Sequence, residues 1–165
     1  MPVVLANAEG HALQPKFLPP DGGLRLQSGP GRDLIFKVTG EDTGGAFDYF
    51  TVEVAPKGGP PLHVHHRQEE ALHAIKGRYK IQIGDETFYC EEGGFAFMPS
   101  GVPHAFLNLT DEPGEVVLVY TPGGGHRFYE EYGPISRNGT PERAVIAAVF
   151  EKHDMSLLGP PLSPD

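Results

Sequence analysis

Apolar and polar positions alternate with period two along much of the middle of this chain. Phe50, Val52 and Val54 stand against Thr51 and Glu53; Tyr79, Ile81 and Ile83 stand against Lys80 and Gln82; Phe95 and Phe97 stand against Ala96 and Met98. β-branched and aromatic side chains in such alternation describe half-buried strands. The pattern predicts strands at 33–38, 46–55, 62–66, 69–76, 78–83, 86–90, 94–98, 103–109 and 115–121. Gly84-Asp-Glu86 reads as a tight hairpin connection and Asp111-Glu-Pro-Gly114 as a longer turn. Many short strands with frequent turn signals predict an all-β sandwich or barrel.

The period changes after Gly123-Gly-Gly125. Thr140, Pro141 and Glu142 form a helix-start pattern: a hydroxyl N-cap, proline at the first helical position and an acid in the first turn. That helix is expected to run to about His153, to bury some of Ala144, Val145, Ala148 and Val149, and to stop before Gly159-Pro160-Pro161. A shorter helical piece is expected at 128–132. The glycine run either lets this region swing or completes a turn; a packing helix is preferred to a moving lid, because surface helices are commoner than gates. The first 30 residues, rich in Gly and Pro, read as irregular or as an edge strand exchanged with a partner. No repeat or second domain is visible. The expected organisation is one domain over 1–165, with a barrel core at 33–121 and a helical extension at 126–158.

Composition narrows the class. At 165 residues the chain can bury a core without disulfide staples, and its single Cys90 cannot form one internally. The 22 Gly and 17 Pro are scattered between apolar runs as turn punctuation, not gathered in a low-complexity tract. No apolar run reaches the ~18 residues of a spanning helix, and the N-terminus lacks the basic and apolar regions of a secretory signal, so the expectation is a cytoplasmic protein away from membranes. A formal charge of −9 without a basic patch opposes nucleic-acid binding.

The candidate chemistry sits in two blocks. His63 and His65 are two apart, so in extended backbone both imidazoles project to one side. Glu70 follows across a short polar stretch, and His104 arrives on a separate segment after the turn-like Pro99-Ser-Gly101. Three neutral nitrogens and one anionic oxygen suit a divalent first-row metal and leave coordination positions for other ligands. Burying three histidines and a carboxylate without such a purpose would be costly.

These residues also carry a family resemblance. Gly, His-x-His, four residues, Glu, six residues, Gly falls on His63, His65, Glu70 and Gly77; Gly, five residues, Pro-x-Gly, two residues, His, three residues, Asn falls on Gly93, Pro99, Gly101, His104 and Asn108. The chain thus resembles the cupin superfamily, and more loosely the quercetin dioxygenase-like single-domain cupins, from Thr39-Gly-Glu-Asp-Thr-Gly-Gly45 to the Leu158-Gly-Pro-Pro-Leu162 tail. Its opening Gly is irregular, with Gly58 and Gly59 just beyond the usual interval. The resemblance implies a jelly-roll β-barrel (a double-stranded β-helix) with a short C-terminal helical segment. It also implies one divalent transition metal per chain (Fe, Mn, Ni, Co, Cu or Zn) on His63, His65, Glu70 and His104, and a homodimer. The interval to Gly77 selects Glu70 over Glu69, which faces the other way in an extended strand.

By this resemblance the expected function is a quercetinase-like dioxygenase acting on a flavonol, enediol or other aromatic small molecule. Glu70 is either a static ligand or also the catalytic base that takes a substrate proton. Two alternatives stay open: a non-redox isomerase, cyclase or lyase using the metal as a Lewis acid, and a non-catalytic small-molecule-binding module. Leu72, Tyr79, Phe95, Phe97 and Phe106 lie on strands flanking the ligands and are the candidate apolar pocket, with ordinary core packing as the alternative. His73 is expected to face opposite Glu70 as a packed or interface residue. His66 should point outward; His11, His126 and His153 read as structural or exposed. Cys90 reads as a small apolar filler and Asn108 as a hydrogen-bonding residue at a strand end.

Overall fold

The alternating runs become strands wherever one face can be covered by a second sheet. In the computed structural model, which describes residues 13–29 and 32–165, the order is β1 (Leu24–Gln27), β2 (Asp33–Val38), β3 (Asp48–Val54), β4 (Pro61–His65), β5 (Glu69–Lys76), β6 (Tyr79–Ile83), β7 (Glu86–Cys90), β8 (Phe95–Met98), β9 (His104–Asn108) and β10 (Gly114–Thr121). Helices α1 (His126–Ser136) and α2 (Arg143–Lys152) and a last strand β11 (Met155–Pro161) complete it. The strands form two antiparallel sheets, ordered β1-β2-β3-β10-β5-β8 and β11-β4-β9-β6-β7. The fold is the jelly roll expected from sequence, built of two facing sheets whose pairing does not close into a continuous barrel.

Inward residues of both sheets make the main core. Phe36 stacks on Phe50 at 4.2 Å, and Leu34, Leu72, Ile81, Met98 and Val116 are fully buried around them. A smaller cluster of Phe128, Ile146, Val149, Phe150 and Met155 fastens the helices and β11 to one end of the sandwich. Asn108 ties the opposite end together: its side-chain amide donates to the carbonyls of Val54 and Glu112, while its oxygen accepts from the Thr110 backbone and hydroxyl.

Several expectations need correction. Leu24–Gln27 is an edge strand, but it pairs with β2 of its own chain through the short connection where Ser28 N–H donates to the Arg32 carbonyl. Exchange with a partner is not needed to pair it; residues 1–12, including His11 and the segment read for a leader, lie outside the described residues. The helix starts at Arg143, with Glu142 extended at ψ 143° and its carbonyl accepting from Val145 and Ile146. Thr140 therefore does not cap it. Tertiary packing sets the buried face: Ile146, Val149 and Phe150 point inward, so of the four residues among which some were expected to be buried, Val149 is. After α2 the chain forms β11 against β4 despite its Gly and prolines, which an edge strand tolerates.

The glycine run is a pinned turn. Asp48, fully buried, accepts backbone N–H bonds from Gly40 at 2.6 Å, Gly124 at 2.9 Å and Gly125 at 2.7 Å, and a Cβ on Gly123 would meet Gly40 at 2.6 Å. This close approach fixes where α1 begins.

Candidate metal centre

The two sheets each contribute to one buried cluster. On the five-stranded sheet, His63 of β4 lies directly opposite His104 of β9, and His65, two residues on, shares their face. From the other sheet, β5 delivers Glu70. All four side chains are buried, and one ligand atom from each lies within 4.8 Å of the others. Glu70 Oε2 is 3.2 Å from His104 Nε2 and 3.6 Å from His65 Nε2. Gly59, at the entry to β4, lets the chain lie close against β9, since any Cβ there would collide with the Phe106 carbonyl oxygen. The irregular opening glycine of the sequence pattern is therefore a packing requirement.

Each histidine is oriented from behind. Nδ1 faces the Pro61 carbonyl in His63 (2.8 Å), the Gln68 side-chain oxygen in His65 (3.0 Å) and the Val102 carbonyl in His104 (3.0 Å). A carbonyl oxygen only accepts, so each Nδ1 carries hydrogen and each Nε2 is turned toward the cluster. The Gln68 amide is itself fixed, because its NH2 donates to the Pro122 carbonyl at 2.7 Å. His65 Nε2 is buried without a hydrogen-bond partner.

Electrostatics agree with neutral imidazoles at His63 and His65. Burial foremost, then the neighbouring His104 and His65, holds the His63 imidazolium down to about 3; burial and then His104 bring His65 to about 3 as well. At His104 burial also opposes charge, but the hydrogen bond and charge of Glu70 outweigh it and the net shift is upward. Three imidazole nitrogens, one of them the orphaned buried Nε2 of His65, and one carboxylate fit a divalent first-row metal.

Residues 50–120, the stretch holding all four side chains, match the Cupin_2 cupin domain family. This stretch is a cupin domain. It is 26% identical over 159 residues to the quercetin 2,3-dioxygenase of Bacillus subtilis (strain 168), covering 84% of this chain and 46% of that protein. The chain spans about half the length of the curated relatives it matches. Two solved structures share the fold: an RmlC-like cupin from Shewanella frigidimarina NCIMB 400 at TM-score 0.59 and 13% identity, covering 69% of this chain and 96% of that one, and KdgF from Halomonas sp. at TM-score 0.59 and 16% identity, covering 68% and 99%.

A cavity of about 550 Å³ opens from the cupin's candidate metal centre toward the helices. Of the five residues expected to form its apolar wall, only Phe106 lines it. Register explains the rest. In the β5–β8 pair, Glu70 opposes Met98 and Leu72 opposes Ala96, which puts Phe97 and Phe95 on the outer face with Ala71 and His73; they are 48% and 67% exposed. Leu72 points inward but is sealed in the core, as is Tyr79, whose hydroxyl donates to the Lys76 carbonyl at 2.7 Å. The wall is built instead by Leu34, Leu118, Tyr120, Phe128, Tyr129 and Phe150. Phe150 packs edge-on to His63 at 5.7 Å, so α2 in the cupin is a wall of the site.

Sequence reasoning missed Gln68, Tyr120 and Tyr129. Tyr120 continues the inward series Val116, Leu118 on β10, a signal that was available; Gln68 and Tyr129 depend on contacts across the fold. The remaining described histidines stay apart from the cluster. His73 is exposed, His66 bonds the Ser156 hydroxyl at 2.9 Å, His153 pairs with Glu131 at 3.0 Å, and buried His126 packs edge-on to Phe36. Burial, with Glu91 beside it, pushes the Cys90 thiol up and disfavours the reactive thiolate.

Proposed function

We propose that this cupin is a metal-dependent dioxygenase of the quercetinase kind, acting on a small flavonol, enediol or related aromatic. The observation that carries the reading is the position of the cluster: three Nε2 atoms and the Glu70 carboxylate meet at the inner end of a cavity walled by Phe106, Leu118, Phe128 and Phe150. An apolar cavity ending in a few convergent polar groups suits a flat, oxygen-bearing ligand. The likeness to quercetin 2,3-dioxygenase supports it.

His63, His65, Glu70 and His104 would hold the ion. Once bound, the ion supplies Lewis acidity and, if redox-active, electron transfer with dioxygen. The chain's own part is orientation and proton handling. The aromatic walls hold the ligand plane and exclude water. Glu70 is the one carboxylate of the cluster and takes the proton of an incoming hydroxyl. One domain, a cytoplasmic setting and a homodimer complete the proposal; migration with a monomer standard in size exclusion would refute the last.

The test is oxygen uptake with flavonols and enediols after reconstitution with Fe, Mn, Co, Ni or Cu. Uptake with at least one ion is expected. No uptake with any of them would contradict the reading, and turnover that persists without oxygen would mark a lyase or isomerase instead.

A further inference from the structure

Two phenols on the cavity wall have no part in the reading above. Tyr120 of β10 stands opposite Glu70 of β5 in register, with its ring 5.2 Å from that of His65. Tyr129 of α1 meets it from the helical side, the two hydroxyl oxygens lying 3.1 Å apart. Both residues line the cavity together with Glu70.

Counting protons gives the pair a direction. Two hydroxyls carry two protons, and the bond between them uses one. Among the described residues neither hydroxyl makes a second hydrogen bond within the protein. Asp48 does not serve as acceptor, since both its oxygens face the backbone N–H groups of Gly40, Gly124 and Gly125. Burial first, with the Glu70 charge acting the same way, raises both phenols above their ordinary range, so they remain O–H donors. The rings are held in place, Tyr120 edge-on to Phe50 at 4.9 Å and Tyr129 edge-on to Phe128 at 5.0 Å. The pair is thus a pre-positioned donor beside the candidate metal centre, with one proton available to a ligand.

We propose that the Tyr120–Tyr129 hydroxyl pair orients the substrate, donating one hydrogen bond to an oxygen of a vicinally dioxygenated small molecule whose neighbouring oxygen meets the metal centre. This rests on the functional reading above and narrows its substrate class: a catechol, enediol or hydroxyketone is held at both oxygens, a simple phenol at one.

The test uses zinc-loaded protein, because zinc has no redox chemistry of its own to consume the ligand with dioxygen. Calorimetric titration with 4-nitrocatechol and 4-nitrophenol compares wild type with the Tyr120→Phe, Tyr129→Phe double variant. Losing one neutral hydrogen bond should weaken the catechol about three- to tenfold. The phenol should change less than about twofold, with zinc content unchanged. Equal weakening of both ligands, or of neither, overturns the assignment while leaving the functional reading intact. Failure of wild type to bind the catechol overturns both. If the double variant does not keep the wild-type melting temperature, the two single variants replace it: one of them must show the selective loss, and selective loss in neither overturns the proposal.

Discussion

Gln68 locks His65: its side-chain oxygen accepts the His65 Nδ1 proton at 3.0 Å, and its NH2 is anchored on the Pro122 carbonyl at 2.7 Å. The ring is thereby held with Nε2 toward Glu70. A partner of this kind behind a ligand imidazole fixes tautomer and angle, and its loss typically costs about 10- to 100-fold in metal affinity. Gln68→Ala is expected to fall in that range in competition with a chelator. Metal affinity equal to wild type would show that His65 is oriented by other means.

The buried histidines give the metal-free protein an acid-labile core. An unfolded histidine titrates near its ordinary 6.5, whereas folded His63 and His65 are held down to about 3. Their folded values lie below the unfolded one, so their contribution to stability is complete above 6.5 and is lost as pH falls toward 3. His104, shifted upward, runs the other way: its contribution is complete below 6.5 and is lost as pH rises through its folded value. Below 6.5 only the His63 and His65 terms still change, so the urea midpoint of metal-free protein is expected to drop between pH 6.5 and 5, and to drop less in His63→Ala. A midpoint that is flat or rising over that interval would contradict the burial argument.

Outward and inward aromatics should separate cleanly in ligand binding. Phe106 lines the cavity, while Phe97 sits 48% exposed on the far face of β8. Phe106→Ala is expected to weaken binding of 4-nitrocatechol to zinc-loaded protein several-fold, by removing apolar contact area. Phe97→Ala should leave it unchanged within about twofold. Calorimetry decides, and the reverse ordering would mean that the binding face has been misplaced.

Legibility in the sequence followed locality. The strand at 69–76 was readable to the residue, because alternation alone puts Glu70, Leu72 and Ala74 on one face. His63 and His65 were readable as a pair, since two histidines two apart in extended chain must share a face, and the cupin motif spacing added Glu70 and His104. The pocket was not. Whether Phe95 and Phe97 face inward depends on β8 pairing Met98 with Glu70, a register set by long-range contacts, and a slip of one residue would have turned both phenylalanines inward. β11 was hidden by its glycine and prolines, which local propensity counts against a strand although they suit an edge. The helix start at Thr140 failed because packing of Phe150 and Ile146 against Phe128 and its neighbours outweighed a capping pattern worth about 1 kcal/mol.

The central claim is that His63, His65, Glu70 and His104 hold a metal ion. It is tested most directly by the metal content of tag-free protein grown with several transition metals, beside a His63→Ala variant. The account predicts about one divalent ion per chain in wild type and its loss in the variant. Protein that carries no ion, or a variant that keeps as much as wild type, would contradict it.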